Sequence, residues 1–383
     1  MNHTTLKSQT ILGILGGGQL ARMSALAATE LGIETRIFCS ESEISPAQHV
    51  ALKTTKGGLK DLVAILDFCS QCDYITLENE FIDQTILEAI DQKYPGRLYP
   101  DSQTFKKIGD KISEKESFIK AGLRVTPFMK VATKEDILKF AKLHHYPVVL
   151  KSAKGGYDGY GNATIKNEAE VDSKFLQLKG ELLVEAFIPY EKELAVMVAR
   201  NLMGEMKVYP IAHTIQENHI CHYVSVPAEL SPQIEKEITE SAKMAMIAID
   251  AIGIFAFEFF LTKDNTLYLN ESAPRPHNSG HYSIEGCKTS QFHNHVRSVL
   301  NLSLGSTQLR TPQVLMLNLL GTQNAPASLE NANAFLSIED GHLHLYGKKM
   351  SKIGRKMGHF TLLGHDKKAM FKILEKLKLE YRL

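Results

Sequence analysis

The 383-residue chain has no tryptophan, only five cysteines and almost no net charge. The missing tryptophan excludes no class of function. An odd, sparse set of cysteines is no disulfide framework, and it fits a reducing compartment. One pair, Cys69 and Cys72, has C-x-x-C spacing near the end of an expected helix. No second pair matches it, so ordinary buried thiols are a simpler reading than a metal or redox site. No apolar run approaches the ~20 residues that span a bilayer. The polar opening "MNHTTLKSQT" carries no apolar signal-peptide core. A cytoplasmic protein with no membrane partner is expected. With 44 Lys and Arg against 43 Asp and Glu, net charge is +1. No whole-chain field draws the protein to nucleic acid, although a local basic site remains open.

Periodicity gives the organisation. "TILGILGGGQLARMSALAATELGIETRIFC" reads as strand, glycine turn, amphipathic helix and strand, a βαβ unit. "LKDLVAILDFCSQCDYITLENE" repeats helix then strand and ends in carboxylates. A small open parallel α/β domain over 1–100 follows, with ligands expected at the carboxyl ends of its strands. Two short helices are expected over Ser102–Gly109 and Asp110–Ala121, then strand "TPFMKV", helix "KEDILKFAKLHH" and strand "YPVVLKS". Further strands are "ELLVEAFI", "KELAVMVAR" and "EMKVYPIA", followed by a long helix over Gln233–Ala251 and the paired strands "GIFAFEFFL" and "TLYLNESA". This middle region is α+β. A tail from Thr311 to Leu383 mixes short strands with a last helix.

Chemistry-bearing residues sit at the joints of this pattern. Gly16-Gly17-Gly18 lets a phosphate approach a helix N-terminus, or lets strand and helix pack closely. The spacing is not that of a dinucleotide fingerprint. Glu258 and Glu271 each lie among large apolar residues on strands that look like hairpin neighbours. With Asn270 they make a hard oxygen set suited to Mg²⁺ and phosphates, unless they point to solvent. Lys111 and Lys151 are possible phosphate cations, or plain surface lysines. Glu185-Ala186-Phe187-Ile188 ends a strand whose backbone edge could pair an adenine, and Glu193 could accept from ribose hydroxyls. The loop Ala153–Gly161 holds four glycines and is too long for a plain hairpin turn. Asp158 within it reads equally as an Asp-Gly turn. His277 and His281 as a metal pair lack a third ligand. "GKKMSKIGRKMGH" by itself is a solvated basic turn.

The order of these parts is more telling than any one of them. Lysine, a "GGYDGYG" loop, Glu-x-x-Ile-x₄-Glu and a distant Glu-x₁₂-Glu resemble the ATP-grasp superfamily. "GGGQLARM", "ITLENE", "KGGYDGYG", "APRPHNSGH" and "GRKMGH" resemble, in order, its 5-(carboxyamino)imidazole ribonucleotide synthetase family. The resemblance implies an ATP-grasp fold with an N-terminal α/β domain over 1–100 and an ATP-grasp domain over 101–305, whose lid subdomain covers about 123–190. A C-terminal domain over 306–383 would complete the ribonucleotide site. It implies ATP and Mg²⁺ (or Mn²⁺) as cofactors, a homodimer, and hand-off of product to a mutase. The implied reaction carboxylates 5-aminoimidazole ribonucleotide with bicarbonate through carboxyphosphate, in purine biosynthesis.

By the same resemblance, Lys111, Lys151, Gly156, Tyr157, Asp158, Gly159, Tyr160, Gly161, Asn162, Glu185, Ala186, Phe187, Ile188, Glu193, His213, Asn270 and Glu271 hold ATP. Glu258 and Glu271 hold the metal. Tyr157, Asp158, Arg275, His277, Asn278 and Lys356 face the reacting centre. Gly18, Gln19, Leu20, Glu80, Ser279, Lys348, Arg355 and Lys356 bind the ribonucleotide. As the nucleotide residues lie upstream, deletion after Gly347 is expected to leave ATP binding intact. The competing readings are a formate-using, ATP-dependent glycinamide ribonucleotide transformylase, a Rossmann oxidoreductase, which leaves the Glu258/Glu271 pair unexplained, and a non-catalytic nucleotide-binding regulator.

Overall fold

The structure is a computed structural model that describes residues 7, 9–40, 45–155, 161–217 and 220–383. The candidate loop residues Gly156, Tyr157, Asp158, Gly159 and Tyr160 lie outside the described residues.

Among these residues the strands form three sheets. The first is parallel, with order Lys53–Lys56, Glu34–Cys39, Ile11–Leu15, Tyr74–Leu77. It is the open α/β sheet that the βαβ pattern predicts. Its first turn needs glycine. Gly16 has φ of +109°, and a Cβ there would lie 2.6 Å from the Glu78 Cβ. Cys69 and Cys72 pack inside this unit, where burial above all pushes both thiols up to about 12. They are unreactive core groups.

The second sheet is antiparallel, with order Phe128–Val131, Leu182–Ala186, Val148–Ser152, Asn162–Ile165. The third is large. It runs Leu267–Ala273, Gly253–Thr262, Tyr190–Arg200, Ala212–Glu217, Ile220–Val226, Gln313–Leu320, Lys356–Gly364, Gly341–Leu345, with Met206–Val208 beside Tyr190–Arg200. The tail is therefore not an appendage, because its strands continue the central sheet. Phe360, Leu362, Met370, Leu374 and Leu377 from the tail share one buried cluster with Tyr223, Leu315, Leu317 and Leu319.

Two local differences from the sequence reading have physical causes. The long helix is Pro232–Ala248, shorter at its end than the apolar pattern suggests. Asp250 takes a left-handed φ of 52°, and the Ala251 N–H reaches back to the Met246 carbonyl, a Schellman-type stop. Strands Ala212–Glu217 and Ile220–Val226 were not expected, since "HTIQE" is mostly polar. Their polar faces have work inside the molecule, described below.

The N-terminal unit is seated on the rest by helix packing. Leu20, Ala21 and Ala28 of helix Gln19–Thr29 share a core with Phe292, Val296 and Val299 of helix Gln291–Val299. Buried His295 adds a polar tie. It accepts from the Ile254 N–H at Nδ1 (3.3 Å), so Nε2 carries the proton and donates to Thr76 Oγ1 (3.0 Å).

Candidate active site

A cavity of about 870 Å³ opens where the three sheets meet. Its floor is the hairpin of Gly253–Thr262 and Leu267–Ala273, in which Glu258 and Glu271 are direct cross-strand partners. Directly opposed residues project from one face of a sheet, so both carboxyls enter the cavity. A bulge after Glu258 re-aims the strand at that point.

Helix Lys111–Lys120 closes one side. Its N-cap Asp110 accepts from the Ile112 and Ser113 N–H groups. Lys111 donates from Nζ to Glu271 Oε2. Burial acts to raise Glu271, but Lys111 and then Lys151 outweigh it and hold the carboxyl at about 2. Glu258 behaves oppositely. Burial, then the neighbouring Glu271 and Glu193 charges, push it well up. Glu193 is itself raised, mainly by burial, while Thr214 Oγ1 (3.0 Å) and Gln216 Nε2 (2.7 Å) donate to its Oε1. This is the internal task of the polar strand Ala212–Glu217.

A second charged group lies deeper. Glu185 Oε2 is 2.9 Å from Lys151 Nζ, and its Oε1 is 3.2 Å from Lys115 Nζ. Thr126 Oγ1 also donates to Glu185 (3.1 Å). Burial is overcome by the two lysines, and Glu185 falls to about 2. Just beyond it, the Ala186 N–H is taken by the Pro127 carbonyl. Among the described residues the Phe187 and Ile188 N–H groups donate to no acceptor. They form the open backbone edge expected there, and both residues line the cavity.

The opposite wall comes from the segment after Ala273 and from the N-terminal sheet. Glu80, just past strand Tyr74–Leu77, receives a bidentate fork from Arg275: Nε to Oε2 at 2.5 Å and Nη2 to Oε1 at 2.9 Å. His277 Nε2 lies 3.6 Å from Glu258 Oε1, and its Nδ1 lies 2.7 Å from Ser279 Oγ. Asn278 and buried Asn318 exchange two amide hydrogen bonds of 2.8 Å each. Lys356, Gln19 and Leu20 complete the lining.

The cavity thus gathers Lys111, Lys151, Asn162, Glu185, Ala186, Phe187, Ile188, Glu193, Glu258, Asn270, Glu271, Glu80, Arg275, His277, Asn278, Ser279, Lys356, Gln19 and Leu20 from the sequence reading. Five residues are not gathered. His213 lies on the face of its strand opposite Thr214, among Lys192, Lys367 and Glu229. Gly18 packs on Glu78, where an added Cβ would sit 2.2 Å from Oε1. Gly161, at the end of the described loop, has φ of +79° and accepts from the Ser152 N–H. Lys348 donates to the Lys356 carbonyl (2.6 Å) and Arg355 to the Met350 carbonyl (3.2 Å).

Sequence reasoning missed Glu114, Lys115, Gln291 and Asn318. Lys115 is 1% exposed and also donates to Thr126 Oγ1 (2.6 Å) and the Asn270 carbonyl (3.1 Å). Glu114 accepts from the Ser272 N–H (2.8 Å) and Oγ (2.6 Å). Burial in the first place raises it to about 7. A signal existed: Lys111, Glu114, Lys115 and Phe118 fall at i, i+3, i+4 and i+7, one helix face.

Comparison with known proteins agrees with this geometry. The ribonucleotide synthetase preATP-grasp domain profile matches residues 9–108, the ATP-grasp domain profile 116–292, and the phosphoribosylaminoimidazole carboxylase C-terminal domain profile 314–372. The chain is 36% identical to the N5-carboxyaminoimidazole ribonucleotide synthase of Synechococcus elongatus, over 94% of this chain and 91% of that protein. It resembles a crystal structure of an N5-carboxyaminoimidazole ribonucleotide synthetase in complex with ADP. The TM-score is 0.90 and the identity 36%, over 99% of this chain and 98% of the other. It also resembles the Aspergillus clavatus enzyme in complex with ADP and 5-aminoimidazole ribonucleotide, with TM-score 0.88 and 32% identity over 97% and 98%. The chain belongs to the N5-carboxyaminoimidazole ribonucleotide synthase family of ATP-grasp enzymes.

Proposed function

We propose that this protein carboxylates the exocyclic amine of 5-aminoimidazole ribonucleotide with bicarbonate at the expense of ATP, in purine biosynthesis. The observation that carries this reading is one cavity joining two kinds of site: an ATP-grasp nucleotide wall, and a wall built from Gln19, Glu80, Arg275 and Lys356. A single chamber of this kind suits transfer of a reactive acyl phosphate without release.

In this reading the Phe187 and Ile188 amides meet the adenine edge and Glu193 the ribose. Lys111 and Lys151 leave their carboxylate partners to meet phosphate oxygens. Gly156, Tyr157, Asp158, Gly159, Tyr160 and Gly161 remain proposals for the phosphate loop, with Tyr157 and Asp158 toward the reacting centre. His213, Gly18, Lys348 and Arg355 are kept only as outer contributors. Arg275 offers a planar fork suited to bicarbonate or carboxyphosphate, His277 and Asn278 flank it, and Lys356 supplies positive charge on the ribonucleotide side.

A divalent cation fits the floor. Burial and then the neighbouring Glu271 and Glu193 charges push Glu258 well up, a repulsion that a cation would relieve, and Asn270 Oδ1 is buried with no hydrogen-bond partner among the described residues. Glu258, Glu271 and Asn270 would hold Mg²⁺, or Mn²⁺, together with ATP phosphates. When bound, the ion neutralises charge on the transferring phosphoryl group.

The proposed division of labour is 1–100 for the ribonucleotide phosphate, 101–305 for ATP, and 306–383 to complete the ribonucleotide site. We also propose a cytoplasmic homodimer that hands its carbamate to a mutase. Five free, buried cysteines and the lack of any described helix long and apolar enough to cross a membrane support the compartment. Family resemblance supports the rest. Sedimentation equilibrium should give about twice the 42.7 kDa chain mass, and a monomer at all concentrations would remove the dimer. Labelled bicarbonate should appear in the ribonucleotide product; uptake of labelled formate instead would favour the transformylase reading.

A further inference from the structure

His277 faces the acidic floor, yet its place is set by a residue that never reaches the cavity. Gln291, the first residue of helix Gln291–Val299, is fully buried. Its Oε1 accepts from the His277 N–H (2.9 Å), and its Nε2 donates to the His277 carbonyl (2.7 Å). A backbone N–H can only donate, so the amide orientation is fixed. The second Nε2 proton goes to His281 Nδ1 (3.0 Å), and the Gln291 N–H donates to Ser283 Oγ (2.9 Å). Ser283 in turn donates to the Gly280 carbonyl (2.6 Å). Residue 280 has to be glycine for this approach, since a Cβ there would lie 2.5 Å from Gln291 Oε1. The segment 277–283 is wrapped around one carboxamide.

We propose that Gln291 is a positioning residue for the reaction, gripping both polar atoms of the His277 peptide so that the imidazole stands against Glu258. The inference rests on the functional reading above. The grip is anchored in the helix that packs on Gln19–Thr29, which bears Gln19 and Leu20 at the cavity. One side chain thereby ties the reacting segment to the ribonucleotide wall. The nucleotide-side groups, Lys111, Lys151 and Glu185, make no hydrogen bond to Gln291.

The test uses full-length Gln291→Met and Gln291→Glu. Methionine keeps the volume and loses every side-chain hydrogen bond of the grip. It should lower kcat for ribonucleotide-dependent ADP release about 10²-fold, the scale of a misplaced reacting group, with KM for ATP unchanged. Glutamate regains the grip only when protonated, because a neutral carboxyl can donate to the His277 carbonyl while accepting from its N–H. Its deficit against the native enzyme should therefore shrink as pH falls from about 8 to about 6, burial raising the carboxyl into that range. A methionine variant with native kcat would overturn the proposal. So would a matching rise in KM for ATP, or a glutamate deficit independent of pH, since each indicates mere space filling. If the methionine variant does not fold, the glutamate profile alone decides. A native enzyme that releases no ADP with the ribonucleotide and bicarbonate would overturn both the functional reading and this role. Native turnover with an unaffected methionine variant would remove this role only.

Discussion

Glu258 and Glu271 are chemically alike, occupy opposed positions of one hairpin, and are driven apart by their neighbours. Lys111 and Lys151 outweigh burial and hold Glu271 at about 2, while burial and two nearby carboxylates push Glu258 well above the usual carboxylate range. Separated pKa values in a cavity mark groups under functional load. Glu271→Gln keeps size and removes the charge that Lys111 engages. On the proposed mechanism it should lower ATP turnover by about 10²–10³-fold, the scale of losing one preorganised electrostatic contact, in a variant that still folds. ADP release at the native rate by the folded variant would remove Glu271 from the site. The Lys115–Glu185–Lys151 group answers to different physics. Glu185→Leu should destabilise the fold by about 3–5 kcal/mol, because Lys115 is left charged and buried without its partner. Denaturant titration reads this directly, and a loss under about 1 kcal/mol would contradict it.

Among the elements, the tail carries the clearest lesson. Strand Lys356–Gly364 sits between Gln313–Leu320 and Gly341–Leu345. Deletion after Gly347 would remove Phe360, Leu362, Met370, Leu374 and Leu377 from one buried cluster. At roughly 1.5–3 kcal/mol for each large buried side chain, the loss is about the size of a whole domain's stability. The truncated chain should show no cooperative unfolding transition, contrary to the sequence expectation that it would still bind ATP. A cooperative melt near that of the native protein would show the tail to be separable after all. The Glu258/Glu271 hairpin was legible in the sequence because acids interrupting large apolar residues at period two have few bland explanations. Strand Ala212–Glu217 was not, because Thr214 and Gln216 hydrogen-bond inward to Glu193 and their polarity mimics a loop. Glu114 and Lys115 were missed for a related reason: "KISEKESF" has the composition of a solvated helix, and only its periodicity shows that its charged face is buried. Gln291 and Asn318 act by buried amide contacts across long stretches of chain, which no local pattern encodes.

At the scale of the whole molecule, the reaction as proposed needs three sheets held around one chamber, and His295 is a tie between two of them. Burial alone depresses its pKa from 6.5 to about 4. The unfolded chain takes up that proton below 6.5, and the native state does so only near 4. The stability due to this group is therefore whole above 6.5 and is lost as pH falls toward 4. The shift corresponds to about 3 kcal/mol. Relative to the native protein, His295→Asn should be destabilised at neutral pH, and the gap should close by about 2–3 kcal/mol on going down to about pH 4.5. A gap that does not change with pH would mean the ring is not held neutral. The central claim is that the nucleotide wall and the ribonucleotide wall serve a single coupled reaction. It is tested most directly by ADP release from the native protein with ATP and Mg²⁺, adding 5-aminoimidazole ribonucleotide and bicarbonate separately and together. The account predicts full release only with both, with labelled bicarbonate recovered in the ribonucleotide. Release that ignores the ribonucleotide, or that proceeds fully in bicarbonate-free buffer, would contradict it.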